Sequence, residues 1–257
     1  MTVLLSRSPE GRISEAASAS TPRALARSGP FSLRLLEEFQ LTGRGDIALP
    51  LAATGERVLA FLALHEHPVR RCMVAGSLWP QSSEAHSSGS LRSALWRVSC
   101  TARGAIETAG SLLKLAPTVA VDVRDLVTMA RQLKDGRLPA NPASIIARLE
   151  MELLPDWHDD WIVVYREHWR QIRLHALETL AGMLRQAGDC STAAEAGLAA
   201  VRADPLRETA HRTLIETYLA EGNRPEALRQ YHTYTAIMRD ELGLQPSSWL
   251  AALVDGA

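Results

Sequence analysis

Gly188-Asp189 and Gly222-Asn223 stand 34 residues apart, and the residues around them repeat at the same offset. Ala193 falls on Ala227, Leu180 on Leu214 and Ala176 on Ala210. Small residues let two helices approach closely, and the Gly ends the first helix of each pair. Ala200 and Pro205 extend the first copy, and Tyr218 and Tyr231 supply aromatic positions in the second. A unit of this length is a helical hairpin that cannot bury its own apolar face and must stack on neighbours. The carboxyl-terminal half is thereby confined to stacked hairpins. Such stacks present surfaces to other proteins, or to themselves, and rarely assemble catalytic groups. Ahead of the repeat, Trp161, Tyr165, Trp169, Ile172, Ala176, Leu180 and Leu184 recur at three- and four-residue steps, one long amphipathic helix. Asp159 and Asp160 sit at its start, where carboxylates are favourable.

Residues 31–122 follow a different pattern. Phe31-Ser-Leu33-Arg-Leu35 alternates, Phe39-Gln-Leu41 follows, Gly43-Arg-Gly45-Asp46 reads as a turn, and Ile47-Ala-Leu49 alternates again. These predict two to four short antiparallel strands. Thr54 is placed to cap a helix carrying Val58, Leu59, Phe61 and Leu62, with Pro68 beyond its end. A second helix runs from about Arg71 to Trp79. A third runs from Ser83 to about Thr101, with Leu91, Leu95, Val98 and Ala102 on one stripe. At about 100° per residue its opposite face carries Gly89, Ser93, Trp96, Arg97 and Cys100, with Arg92 at the edge. A hairpin follows, Ala105–Thr108 and Leu112–Leu115 about a turn at Ala109-Gly110-Ser111, and Thr118–Val123 alternates once more. Three helices and a hairpin make a winged helix-turn-helix, and a preceding sheet is the arrangement of OmpR-like winged helices. The expected fold is therefore mainly α with a small β component: an OmpR-like winged helix-turn-helix, then an all-α tetratricopeptide-like module over 123–257.

Charge is distributed to match. The 257 residues carry a net charge of −1, which excludes a diffuse polycation that coats nucleic acid. Within 70–114, however, Arg70, Arg71, Arg92, Arg97, Arg103 and Lys114 face only Glu84 and Glu107. The third helix has Glu84 in its first turn as its only acid. A slim helix face with a few polar donors and flanking cations suits base edges and phosphates. The candidate DNA-binding residues are Arg92, Ser93, Trp96 and Arg97 on the helix, with Arg70, Arg71, Arg103, Ser111 and Lys114 around it. Residues 123–257 hold 15 basic and 19 acidic residues, which argues against a second DNA surface.

Other features are read as structural. Met1–Pro30, rich in Ser, Ala and Arg, is expected to be a disordered tail, since Val3-Leu4-Leu5 is too short for a signal-peptide core. No apolar run approaches the ~18 residues of a membrane span. Cys72, Cys100 and Cys190 are odd in number and far apart; they read as buried small hydrophobes in a reducing cytoplasm. His65-Glu66-His67 puts its histidines on different helical faces, unlike a zinc motif, and is read as a helix end. Trp157-His158-Asp159-Asp160-Trp161 is read as a helix start with packed indoles, and Asp122, Arg124 and Asp125 as the boundary between units. Neither a phosphate loop nor a nucleophile–base signature is present, so no cofactor, metal or catalytic residue is expected.

Three runs in the first half, Leu59-Ala-Phe-Leu-Ala-Leu-His65, Val74-Ala-Gly-Ser-Leu-Trp-Pro80 and Leu91-Arg-Ser-Ala-Leu-Trp-Arg97, resemble the DNA-binding half of the SARP family. These are bacterial pathway activators, many of them controlling antibiotic clusters. Pro205-Leu-Arg-Glu208, Ala220-Glu-Gly-Asn223, Glu226-Ala-Leu-Arg-Gln-Tyr231 and Asp240-Glu-Leu-Gly-Leu244 resemble that family's bacterial transcriptional activator domain. The similarity covers roughly 31–250. It implies a cytoplasmic, nucleoid-associated activator that binds direct repeats in double-stranded promoter DNA and contacts RNA polymerase, often through its sigma factor. It implies the third helix as reader, on Arg92, Ser93 and Arg97, and the hairpin at Gly110 and Ser111 as wing. Protomers would sit side by side on tandem sites, with a homodimer as one arrangement. Relatives often carry further arginines where this chain has Ser99 and Cys100, and its wing tip lacks an arginine. The alternative from another class is a protein-interaction adaptor whose winged helix no longer binds DNA.

Overall fold

Short alternating runs at the start of the chain pair into strands only where a partner lies beside them. The computed structural model describes residues 30–255, so the tail expected over 1–30 lies outside the described residues but for Pro30. In chain order the first half contains β1 (Phe31–Arg34), β2 (Gln40–Thr42), α1 (Ala53–Leu64), β3 (Val69–Arg70), α2 (Arg71–Leu78), α3 (Glu84–Thr101), β4 (Ile106–Ala109), β5 (Leu112–Leu115) and β6 (Val119–Val121). One sheet has the order β2-β1-β6 and the other β3-β5-β4.

The first sheet corrects the antiparallel expectation. β1 runs antiparallel to β2 but parallel to β6, with Leu33 opposite Leu41 on one side and Val121 on the other. Parallel neighbours require a crossover. Here the crossover is the whole three-helix and hairpin unit between β2 and β6. Ile47-Ala-Leu49 forms no strand: it contributes a single bridge, Thr42 to Ala48, and Ile47 is exposed. Gly45 and Asp46 both take positive φ just before it, and Pro50 follows, so the chain turns away before a ladder can extend. A smaller correction concerns α1, whose N-cap is Ala52, leaving Thr54 in the first turn.

The second half is helical: α4 (Asp122–Lys134), α5 (Pro142–Leu149), α6 (Val163–Gln186), α7 (Cys190–Ala203), α8 (Glu208–Ala220), α9 (Arg224–Leu242) and α10 (Ser248–Asp255). The repeat read from sequence becomes the hairpins α6–α7 and α8–α9. Gly188 (φ 84°) and Gly222 (φ 81°) both adopt the left-handed conformation that ends the first helix of each pair. Asp189 and Asn223 then cap the second helix, accepting from the Thr192 and Glu226 amides. Ala193, Ala227, Leu180 and Leu214 are fully buried. A Cβ at Gly197 would lie 3.3 Å from the Leu214 backbone, so α7 and α8 meet closely at this glycine.

The two halves share one hydrophobic core that runs from Leu33 through α1, α3, α4 and α6 to Ala210. Aromatic rings fill the seam. Phe39 stacks on Trp157 with centroids 6.0 Å apart, and Phe61 meets Trp161 edge-on at 5.2 Å. His65 lies 5.4 Å from Tyr165 and hydrogen-bonds its hydroxyl through Nε2 at 2.9 Å. Arg57 of α1 pairs with Asp159 and donates to the Leu78 carbonyl. Asp122, Arg124 and Asp125 lie at the junction: Asp122 is buried and accepts from the Leu35, Leu36 and Val123 amides. Arg124 donates to the carbonyls of Leu62, Ala63 and His65 at the end of α1.

The cysteines correct another expectation. Cys72 and Cys100 are exposed and Cys190 is half-buried. Val74, Ala75 and Leu78 take the core face of α2, and Leu91, Ala94 and Val98 that of α3, so both thiols are turned outward.

Candidate nucleic-acid interface

The interface is built on α3, and the sequence explains its pose. Ser83 caps the helix, its hydroxyl accepting from the His86 amide and lying 2.9 Å from His86 Nδ1. Leu91, Ala94 and Val98 are buried against α1 and α2. Gly55 lets α1 approach: a Cβ there would meet Val98 at 3.2 Å. Turning that stripe inward leaves Arg92, Ser93, Trp96, Arg97, Ser99 and Cys100 exposed. Trp96 is 68% exposed, an unusual setting for an indole.

Two grooves flank this crest. On the side of α1, Thr54, Ala85, His86, Gly89, Ser90, Ser93 and Arg97 line an open groove of about 520 Å3. Arg97 Nη1 donates to Thr54 Oγ1 across it at 3.3 Å, and Ser93 Oγ donates to the Gly89 carbonyl. On the wing side, Arg71, Arg92, Leu95, Ser99, Gly104, Ile106 and Thr108 are among the residues lining a narrower cleft of about 180 Å3. Thus the geometry brings Arg71 to Arg92 and Ser93 to Arg97, in separate grooves, with Trp96 between them on the helix wheel.

The hairpin β4–β5 stands beside α3. Gly110 takes φ 58° at its two-residue turn, a conformation that favours glycine there. Ser111 is exposed at the tip, and its carbonyl accepts from the Arg71 amide at 2.8 Å, tying the wing to the start of α2. Arg70 lies on β3 with Leu112 as its register partner, and its residue is exposed. Lys114 is half-buried and stands opposite Glu107 in the β4–β5 register. Its charge is therefore offset on the wing. Arg103 is exposed just beyond α3.

Sequence reading missed Thr54, Ala85, His86 and Ser90. His86 was legible as a polar residue in the first turn of the capped helix. Thr54 was not, because it reaches the site from a helix 43 positions earlier. Outside this interface, among the described residues, no cluster of three or more His, Cys, Asp or Glu is arranged to hold a metal ion. Among the same residues no helix is long and apolar enough to cross a membrane.

A winged helix-turn-helix joined to a stack of helical hairpins defines a class of bacterial transcription regulator. Residues 124–255 match the bacterial transcriptional activator domain, and the chain belongs to that family, as a SARP-type regulator. No curated protein matches the chain. Among solved structures, Mycobacterium tuberculosis EmbR in complex with a low-affinity phosphopeptide is similar at a TM-score of 0.66 and 20% sequence identity. The match covers 88% of this chain and 64% of that one, so this chain spans under two thirds of EmbR's length. The likeness supports the fold: a winged helix followed by the helical module.

Proposed function

We propose that this regulator binds double-stranded DNA sequence-specifically, with α3 in the major groove and the β4–β5 wing on the adjacent backbone. Residues 31–122 are the reading unit and 123–257 the helical module. The observation that carries this reading is the uncovered face of α3, where Arg92, Ser93, Trp96 and Arg97 are exposed and Glu84 is the helix's only acid. Arg92 and Arg97, one at each groove, are the base-edge or phosphate donors. Arg70, Arg71 and Arg103 neutralise phosphates, Ser111 contacts the backbone from the wing tip, and Trp96 packs on the groove. Lys114, opposite Glu107, contributes least.

In this reading the protein is an activator in the bacterial cytoplasm, binding direct repeats near a promoter and touching RNA polymerase or its sigma factor through the helical module. Tandem sites seat protomers side by side, as a homodimer or as monomers brought together by DNA. The test is binding of the full chain to DNA from its own gene neighbourhood across a salt series, beside Arg92→Ala/Arg97→Ala. Specific binding should weaken steeply with salt, by ~0.9 log unit per released phosphate contact, and be lost in the double variant. Arg97→Ala alone should cost ~1–3 kcal/mol if Arg97 reads a base edge. Binding no tighter than to random DNA would leave the adaptor reading in its place.

A further inference from the structure

A cavity of about 550 Å3 opens at the seam between the halves, away from α3. The end of α1 forms one wall, through Ala63, Leu64 and the adjoining Glu66, and α4 and α6 form the others. Its lining is largely aliphatic and aromatic: Leu64, Val127, Val164, Tyr165, Trp169 and Ile172. Val164 at its edge is 72% exposed, and the preceding Val163 is 60% exposed. A cavity of this size, mostly apolar with a few convergent polar groups, has the anatomy of a small-molecule site.

The polar groups set the sign of the ligand. Arg124, Arg131 and His168 line the cavity, against Glu66 as its only carboxylate. Arg131 and Glu66 pair at 3.2 Å, both well exposed, in a contact that water weakens and a ligand can exchange. Arg124 commits Nε and Nη2 to the neutral carbonyls of α1, while Nη1 donates to none of them. Burial lowers its pKa from the ordinary arginine value, with only the Glu66 carboxylate acting against that shift. A guanidinium so placed is short of counter-charge.

We propose that this seam cavity binds an amphiphilic organic acid, its carboxylate at Arg124, Arg131 and His168 and its aliphatic or aromatic body on Leu64, Val127, Val164 and Ile172. A consequence follows for the reader, because α1 walls the cavity at one end and holds α3 at the other, through Gly55 on Val98 and Thr54 on Arg97. An occupant that favours one pose of α1 changes DNA affinity by its differential affinity for that pose. This consequence rests on the DNA-binding reading; the site itself does not.

The test is calorimetric titration of the full chain with decanoate, with decanol as the neutral counterpart and acetate as the acid without a body. Decanoate should bind saturably at one site, about ten-fold more tightly than decanol, because a charge-assisted hydrogen bond is lost in the alcohol. Acetate should show no saturable binding. Arg131→Gln should weaken decanoate, and Val127→Trp should abolish its binding by filling the cavity. Thr128→Trp, at an exposed position on α4, blocks the same space should Val127→Trp fail to fold. Equal binding of decanol, binding unchanged in the folded filling variants, or no binding of decanoate would overturn the proposal. A DNA-binding assay with and without decanoate separates the two readings. A chain that takes decanoate and ignores DNA keeps the cavity and loses the reader, and one that binds DNA without taking decanoate does the reverse.

Discussion

His211 is fully buried in the helical module, its ring 4.2 Å from that of Tyr234. Nε2 lies 2.9 Å from the Pro205 carbonyl, and Nδ1 lies 2.8 Å from the Gln230 side-chain nitrogen. Both contacts suit a neutral imidazole that donates from Nε2 and accepts at Nδ1. Burial lowers its pKa from the ordinary histidine value, against the upward pull of the Pro205 carbonyl and the Asp204 and Glu208 carboxylates. The folded chain therefore holds fewer protons at this site than the unfolded chain between the two pKa values. Its contribution to stability is full above about pH 6.5 and falls as pH drops through the folded value, by at most ~1.4 kcal/mol per unit. Urea midpoints at pH 7.5 and pH 5.5 should drop more in wild type than in His211→Gln; identical drops would remove His211 as a source. Asp122 belongs to the same scale: Asp122→Ala leaves the Leu35 and Leu36 amides without their carboxylate and should cost ~2–4 kcal/mol in urea denaturation.

Elements show why some of the fold was legible and some was not. The hairpins of the module are specified by neighbours in the chain: a left-handed Gly, an Asp or Asn cap, and small residues at fixed offsets. All of these can be read without knowing what packs on them. Helix α3 was legible for the same reason, its exposed face following from arithmetic on its own residues. Sheet pairing is different. β6 could not be assigned to β1 from local pattern because its partner lies beyond the intervening three-helix unit, and Ile47–Leu49 alternated without gaining a ladder. The two grooves of the candidate interface were equally hidden, since each is completed by a second element. Glycines in α6 and at its end provide an element-scale test with opposite signs. Gly188 sits at φ 84°, so Gly188→Ala should cost ~1–2 kcal/mol. Gly182 is inside α6, with nothing within 4 Å of an added Cβ, so Gly182→Ala should stabilise by ~0.5–1 kcal/mol. Urea midpoints that moved the same way for both would contradict the assigned helix end.

At the scale of the whole molecule, the seam decides how the winged-helix half and the helical module behave together. Trp157, Trp161 and Tyr165 pack on Phe39, Phe61 and His65, and Arg57 and Arg124 join side chain and backbone across the same line. Separating the halves would expose these rings together with Leu35, Leu36, Leu153 and Leu154, all now almost fully buried. At about 25 cal/mol per Å2 of apolar surface, opening the seam costs a large share of what a chain of this size has in reserve. The carboxyl-terminal end is held differently, by a small separate cluster of Ile215, Ala227, Tyr234, Met238, Leu250 and Val254. Native-state hydrogen exchange should therefore show α1 and the middle of α6 opening with one shared free energy, equal to that of global unfolding. α10 and the last turns of α9 should exchange several kcal/mol more easily. Arg57→Ala should lower the protection of α1 and α6 together, because the contact it removes spans both halves. If α1 opened below the global free energy while α6 kept its protection, the winged-helix half would be a separable unit. Changes at the seam cavity would then have no rigid path to α3.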